Sequence, residues 1–128
     1  MNPDSAAPTL LYAEDEILIQ EMLLGELEEA GFNVIVANSG PDALAVLNEQ
    51  SDQLHGVITD VNLGDGPDGW DVARTARELV AGLPVVYVSA ASEHEWTSKG
   101  VPSSIMIAKP FVPAQVVVAI SSLLAVSD

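Results

Sequence analysis

Five side chains with the chemistry to act together stand far apart in the sequence, each just after an apolar run. Glu14 and Asp15 follow Thr9 to Ala13 (TLLYA), and Asp60 follows Leu54 to Thr59 (LHGVIT). Ser89 follows Pro84 to Val88 (PVVYV), and Lys109 follows Ser104 to Ala108. Three carboxylates meeting at one place repel each other and resist ionisation if left alone. A hard divalent cation among them removes that difficulty. Magnesium in particular takes oxygen ligands, keeps waters, and binds through one or two carboxylates plus phosphate. A cation so held orients a phosphoryl group for in-line attack by a carboxylate oxygen. An ammonium and a hydroxyl then suit the phosphoryl oxygens. Taken singly, each residue has a plainer use. Glu14 and Asp15 suit the first turn of a helix, Asp60 suits a turn or cap, and Ser89 suits a cap. Lys109 is different, because an unpaired ammonium at the end of an apolar strand is penalised. The joint spacing of 45 residues from Asp15 to Asp60, 29 to Ser89 and 20 to Lys109 is more specific than any member.

The elements that must position these groups fit one domain. The chain has 128 residues, 48% of them apolar, enough for a real core. Nineteen Asp and Glu face four basic residues, Arg74, Arg77, Lys99 and Lys109, for a net charge of -15. That balance excludes a nucleic-acid backbone or an anionic membrane as a partner. A mean hydropathy of +0.30 argues against disorder despite the charge. With no cysteine, a disulfide framework, a thiolate zinc site and a cysteine nucleophile are all excluded. The start lacks a signal peptide's basic and apolar regions, and no apolar run approaches membrane-spanning length, so the expected location is cytoplasmic.

Periodicity places a helix over Ile17–Ala30 with Gly31 as its C-cap. A strand follows at Val34–Ala37, then a helix capped by Ser39. Further helices are expected over about Trp70–Val80, Glu93–Lys99 and Pro113–Ala125. Five strands thus alternate with five helices. Strands apolar on both faces imply an α/β fold, a doubly wound parallel sheet with helices on both sides. Chemistry in such sheets gathers at the carboxyl ends of the strands. Residues 1–8 read as a loose tail and 9–126 as a single domain, with the expectation that no output domain is fused.

The motifs AEDE (Ala13–Glu16), ITDVNLGDGPDGWD (Ile58–Asp71), VVYVSA (Val85–Ala90) and AKPF (Ala108–Phe111), in this order and spacing, resemble the receiver domain of two-component response regulators. The resemblance spans about Thr9–Leu124. It implies the flavodoxin-like strand order 2-1-3-4-5 and Asp60 as phosphoacceptor within the magnesium cluster. It further implies Asp15 and the Asn62 carbonyl as direct metal ligands, with Glu14 holding a metal-bound water. Ser89 and Lys109 would contact the phosphoryl group, and the Lys109–Pro110 peptide is expected cis. The implied partners are a sensor histidine kinase or histidine phosphotransferase and a downstream effector. The implied state is a monomer or weak dimer, signalling through protein contacts or a phosphorelay. Two departures stand out. Met106 occupies the family's aromatic switch position, and Tyr87 does not simply replace it; Met106, Tyr87 and Trp96 are the switch or interface candidates. The loop after Asp60 is one residue longer than the commonest form. It superficially matches a calcium loop, but Asp65 stands where that loop needs glycine.

Other readings stay open at this level. A pseudo-receiver would bind without taking up phosphate, a reading that Met106 keeps in play. A haloacid-dehalogenase-like phosphatase would carry its D-x-D pair after the first strand, whereas this chain has Asp60-Val61-Asn62 after the third. A flavodoxin-like nucleotide binder would need a glycine-rich loop after the first strand. His55 and His94 lack the partner spacing of a metal site, and Trp70 suits packing.

Overall fold

The computed structural model describes residues 7–90 and 93–127; the expected tail falls outside the described residues up to residue 6. In chain order the elements are β1 (Thr9–Ala13), α1 (Ile17–Glu29), β2 (Asn33–Ala37), α2 (Gly40–Gln50) and β3 (Gly56–Thr59). They continue with α3 (Gly69–Leu79), β4 (Val85–Ser89), α4 (Glu93–Lys99), β5 (Ile105–Ala108) and α5 (Pro113–Ser127). The strands form one parallel sheet in the order β2-β1-β3-β4-β5, as expected.

Strands β3 and β4 are buried along their whole length, and β1 from Leu10 onward, as covered parallel strands must be. Side chains alternate between two cores. Leu11, Ala13, Val57, Val85 and Tyr87 meet α2 and α3 through Leu47, Trp70, Val72 and Ala76. Leu10, Tyr12, Ile58, Val86 and Val88 meet α1 and α5 through Leu23, Leu27, Val116 and Ile120. Each large aliphatic side chain so buried contributes roughly 1.5–3 kcal/mol.

Local chemistry sets the helix ends. At the end of α1, Gly31 takes φ 99°, its N–H donates to the Glu28 carbonyl, and Phe32 N–H donates to Leu27. That pattern satisfies carbonyls the helix leaves open. Ser39 Oγ caps α2 by accepting from Asp42 N–H at 3.2 Å. Asp68 and Asp71 cap α3 reciprocally, each side chain accepting from the other's N–H. Arg77 of α3 donates to the carbonyls of Leu83, Pro102 and Ser103, tying two loops to the helix.

The third strand begins later than its apolar pattern predicts, at Gly56 rather than Leu54. A 3-10 turn over Ser51–Gln53 prolongs α2 and delays the extended backbone. His55 then seals the start of β1, its Nδ1 accepting from Thr9 N–H at 3.0 Å while its own N–H donates to the Thr9 carbonyl. Helix α5 runs two residues further than expected. Among the described residues, no helix is long and apolar enough to cross a membrane.

Candidate functional site

Strand register brings the distant side chains together. Ala13 lies abreast of both Ala37 and Thr59, so Glu14 and Asp60 leave the sheet side by side. The ladder continues one step past the strands, with Glu14 N–H donating to Ala37 and Asp60 N–H to Ala13. Ser89 pairs with Ala108, and Lys109 N–H donates to the Ser89 carbonyl at 2.9 Å. The next peptide, Lys109–Pro110, is cis as expected.

Glu14, Asp60 and Ser89 are buried, while Asp15 is exposed at the mouth. Lys109 Nζ lies 2.8 Å from Asp60 Oδ2, 3.5 Å from Glu14 Oε1 and 3.8 Å from Glu16 Oε1. Burial works against the Lys109 charge, but the Asp60 hydrogen bond and the charges of Asp60, Glu14 and Glu16 outweigh it and raise its pKa. The ammonium therefore stays charged. Burial pushes the Glu14 carboxyl up to about 7, with nearby Asp60 adding to the effect and the Glu16 N–H and Lys109 opposing it.

The loop after Asp60 folds by short side-chain turns. Asn62 N–H donates to Asp60 Oδ1 at 3.2 Å, and Gly64 N–H donates to Asn62 Oδ1 at 3.3 Å. Gly69 closes the loop, its N–H 2.7 Å from the Val61 carbonyl. A Cβ on Gly69 would stand 2.0 Å from the Asp60 carbonyl oxygen, so the phosphoacceptor candidate's backbone needs glycine there. Gly40 plays the same part at the crest, where a Cβ would meet the Pro67 carbonyl oxygen at 1.9 Å.

The result is an open cleft of about 390 Å³, lined by Asp15, Glu16, Asp60, Val61, Asn62, Ser89, Ala90, Glu95 and Lys109. Carboxylate oxygens of Glu14, Asp15 and Asp60 lie within 4.8 Å of one another. Glu14 Oε1 is buried without a hydrogen-bond partner, although Oε2 accepts from Glu16 N–H at 3.2 Å. An all-oxygen donor set with an unsatisfied buried oxygen fits a hard cation such as Mg²⁺. All six residues expected at the site, Glu14, Asp15, Asp60, Asn62, Ser89 and Lys109, are thus gathered at one edge.

The three switch or interface candidates lie elsewhere. Tyr87 is fully buried with its ring centroid 4.7 Å from that of Trp70, and its hydroxyl accepts from Val101 N–H at 3.1 Å. Met106, its neighbour across the β4–β5 pair, is half-buried against the same core. Trp96 is half-buried, and its Nε1–H donates to Ser104 Oγ at 3.0 Å. Sequence reasoning passed over Glu16 and Glu95. The acidic run from Glu14 to Glu16 held a signal for the first; the second reaches the cleft only through the packing of α4.

A family model described as the response regulator receiver domain matches residues 10–121. Among curated proteins, the chain is 34% identical over 119 residues to the phyllosphere-induced regulator PhyR of Methylorubrum extorquens, covering 92% of this chain and 44% of that one. It is 32% identical over 117 residues to the transcriptional regulatory protein CusR of Escherichia coli, covering 90% and 50%. The chain thus spans about half the length of these curated relatives. Among solved structures, a response regulator receiver protein from Sinorhizobium medicae superimposes with a TM-score of 0.92 at 40% identity, covering 97% of this chain and 99% of that one.

Proposed function

The chain belongs to the response regulator receiver family, and from that premise we propose that it is a phosphoacceptor switch that takes a phosphoryl group from a phosphohistidine onto Asp60. The observation that carries the reading is the placement of Asp60 beside both a fixed ammonium and an acidic oxygen cluster, at the floor of an open cleft. A carboxylate oxygen of Asp60 forms the new P–O bond while the P–N bond to the donor imidazole breaks, and the released nitrogen takes a proton from the medium. Lys109 gives up its bond to Asp60 Oδ2 for a phosphoryl oxygen, following the charge as it moves. The Ser89 hydroxyl donates to a second phosphoryl oxygen. Glu14, Asp15, Asp60 and the Asn62 carbonyl are the groups to hold Mg²⁺, which when bound neutralises charge on the carboxylates and the phosphoryl oxygens.

The proposed donor is a sensor histidine kinase or a histidine phosphotransferase. Ile17, Leu18 and Met22 expose apolar surface at the start of α1, just past the acidic run. An apolar groove lined by Ile19, Met22, Pro110 and Phe111 adjoins it, with Lys109 common to the groove and the cleft. The output proposed is contact with an effector protein or onward transfer of the phosphoryl group.

Radiolabelled phosphohistidine donor and Mg²⁺ supply the test. The native chain is expected to take up label, and Asp60→Asn to lose it while keeping its circular dichroism spectrum. Full labelling of Asp60→Asn, or continuous phosphate release from small phosphomonoesters, would overturn the reading.

A further inference from the structure

Tyr12 takes no part in the chemistry described so far, yet its hydroxyl is the odd group in the core. It heads the fully buried side chains by volume and sits among Leu10, Leu23, Leu27 and Ile58. Phenylalanine would fill that space without burying an oxygen. Leaving a buried hydroxyl unsatisfied is destabilising, and buried polar groups are almost always paired.

Among the described residues, two have buried side-chain atoms with no hydrogen-bond partner, Tyr12 at its hydroxyl and Glu14 at Oε1. They are complementary, one a donor lacking an acceptor and the other an acceptor lacking a donor. They also share a direction. Side chains two apart on a strand point to the same face, and the backbone ladder of β1 runs on through Glu14. Lys109 Nζ, 3.5 Å from Oε1, balances its charge without hydrogen-bonding to it. A tyrosine hydroxyl holds its proton at neutral pH and so has a hydrogen to donate, whereas a carboxylate oxygen can only accept.

We infer that Tyr12 is a positioning residue of the cation site, its hydroxyl donating through one bridging water to Glu14 Oε1 and so orienting that oxygen for a divalent cation. The inference rests on the cation site proposed above. Partners standing behind the ligands commonly tune metal affinity by 10–100-fold, and a hydrogen bond to a carboxylate is among the stronger kinds. Tyr12 has no part in the nucleophilic step.

Calorimetric titration with Mg²⁺, run on the native chain, Tyr12→Phe, Glu14→Gln and the double variant, tests this alongside metal-free thermal melts. Tyr12→Phe is expected to weaken Mg²⁺ binding about tenfold while the metal-free melt holds. On the Glu14→Gln background the same change is expected to weaken binding no further. Equal affinity for native and Tyr12→Phe, or an equal loss on both backgrounds, overturns the role of Tyr12 and leaves the proposed function standing. A native chain that binds no Mg²⁺ overturns the function, and this inference with it. A high-resolution crystal structure of the native chain with Mg²⁺ gives a check independent of any variant's folding. A water shared by the Tyr12 hydroxyl and Glu14 Oε1 supports the inference, and a hydroxyl bonded elsewhere ends it.

Discussion

The sheet carries one buried tyrosine on each face, and the two are treated differently. On the side of α2 and α3, Tyr87 packs on Trp70 and its hydroxyl accepts from Val101 N–H. Arg77 on the same side gives its donors to three carbonyls. On the side of α1 and α5, the Tyr12 hydroxyl has no partner among the described residues. Ile17, Leu18 and Met22 of α1, with Val118 and Val126 of α5, are exposed there, and α5 carries no charged residue. One face pairs its tyrosine hydroxyl directly with a backbone N–H. The other leaves its tyrosine hydroxyl without a direct partner in the core and presents apolar side chains on its outer surface. The cleft lies on the seam between them, with its loop shaped from the first face and Lys109 arriving beside the second.

If the first face is the rigid one, damage to it should be costly. Trp70→Ala is expected to lose about 4 kcal/mol in urea unfolding, the largest effect of the set. Gly69→Ala should follow at roughly 3 kcal/mol, because backbone rather than a flexible side chain blocks the new methyl. A Gly69→Ala chain as stable as the native one would mean that the loop after Asp60 is not fixed from α3. The sharpest comparison is the smallest change, removal of one oxygen from each tyrosine. Tyr87→Phe should cost about 2 kcal/mol, since it strands the buried Val101 N–H. Tyr12→Phe should leave metal-free stability within about 0.5 kcal/mol. Equal losses at the two positions would erase the distinction between the faces.

Much of this was legible in the sequence, for physical reasons. Apolar runs ending in Glu14, Asp60, Ser89 and Lys109 located the reactive edge, because a parallel sheet delivers every strand end to one side. Gly31 and Ser39 marked helix ends through requirements local to a few residues. What escaped depended on tertiary context. LHGVIT looks extended throughout, but the 3-10 turn before it, and the use His55 finds against Thr9, push the strand start to Gly56. Asp68 gave no glutamate-type capping signal at its third position, yet Asp71 serves there. Tyr12 read as one more apolar strand residue. Its orphaned hydroxyl shows only once burial and partners are known.

Arg77 bears on how the protein meets ionic strength. Its contacts are carbonyl dipoles at close range, not carboxylates facing it across solvent. Mobile ions screen charges separated by more than about 8 Å at physiological salt, and the chain has far more acids to repel one another than bases to attract them. Added salt therefore eases the repulsion spread over the surface and leaves the Arg77 tie as it was. The melting temperature of this acidic fold is therefore expected to rise from dilute buffer to moderate salt, as a thermal melt at two ionic strengths would register.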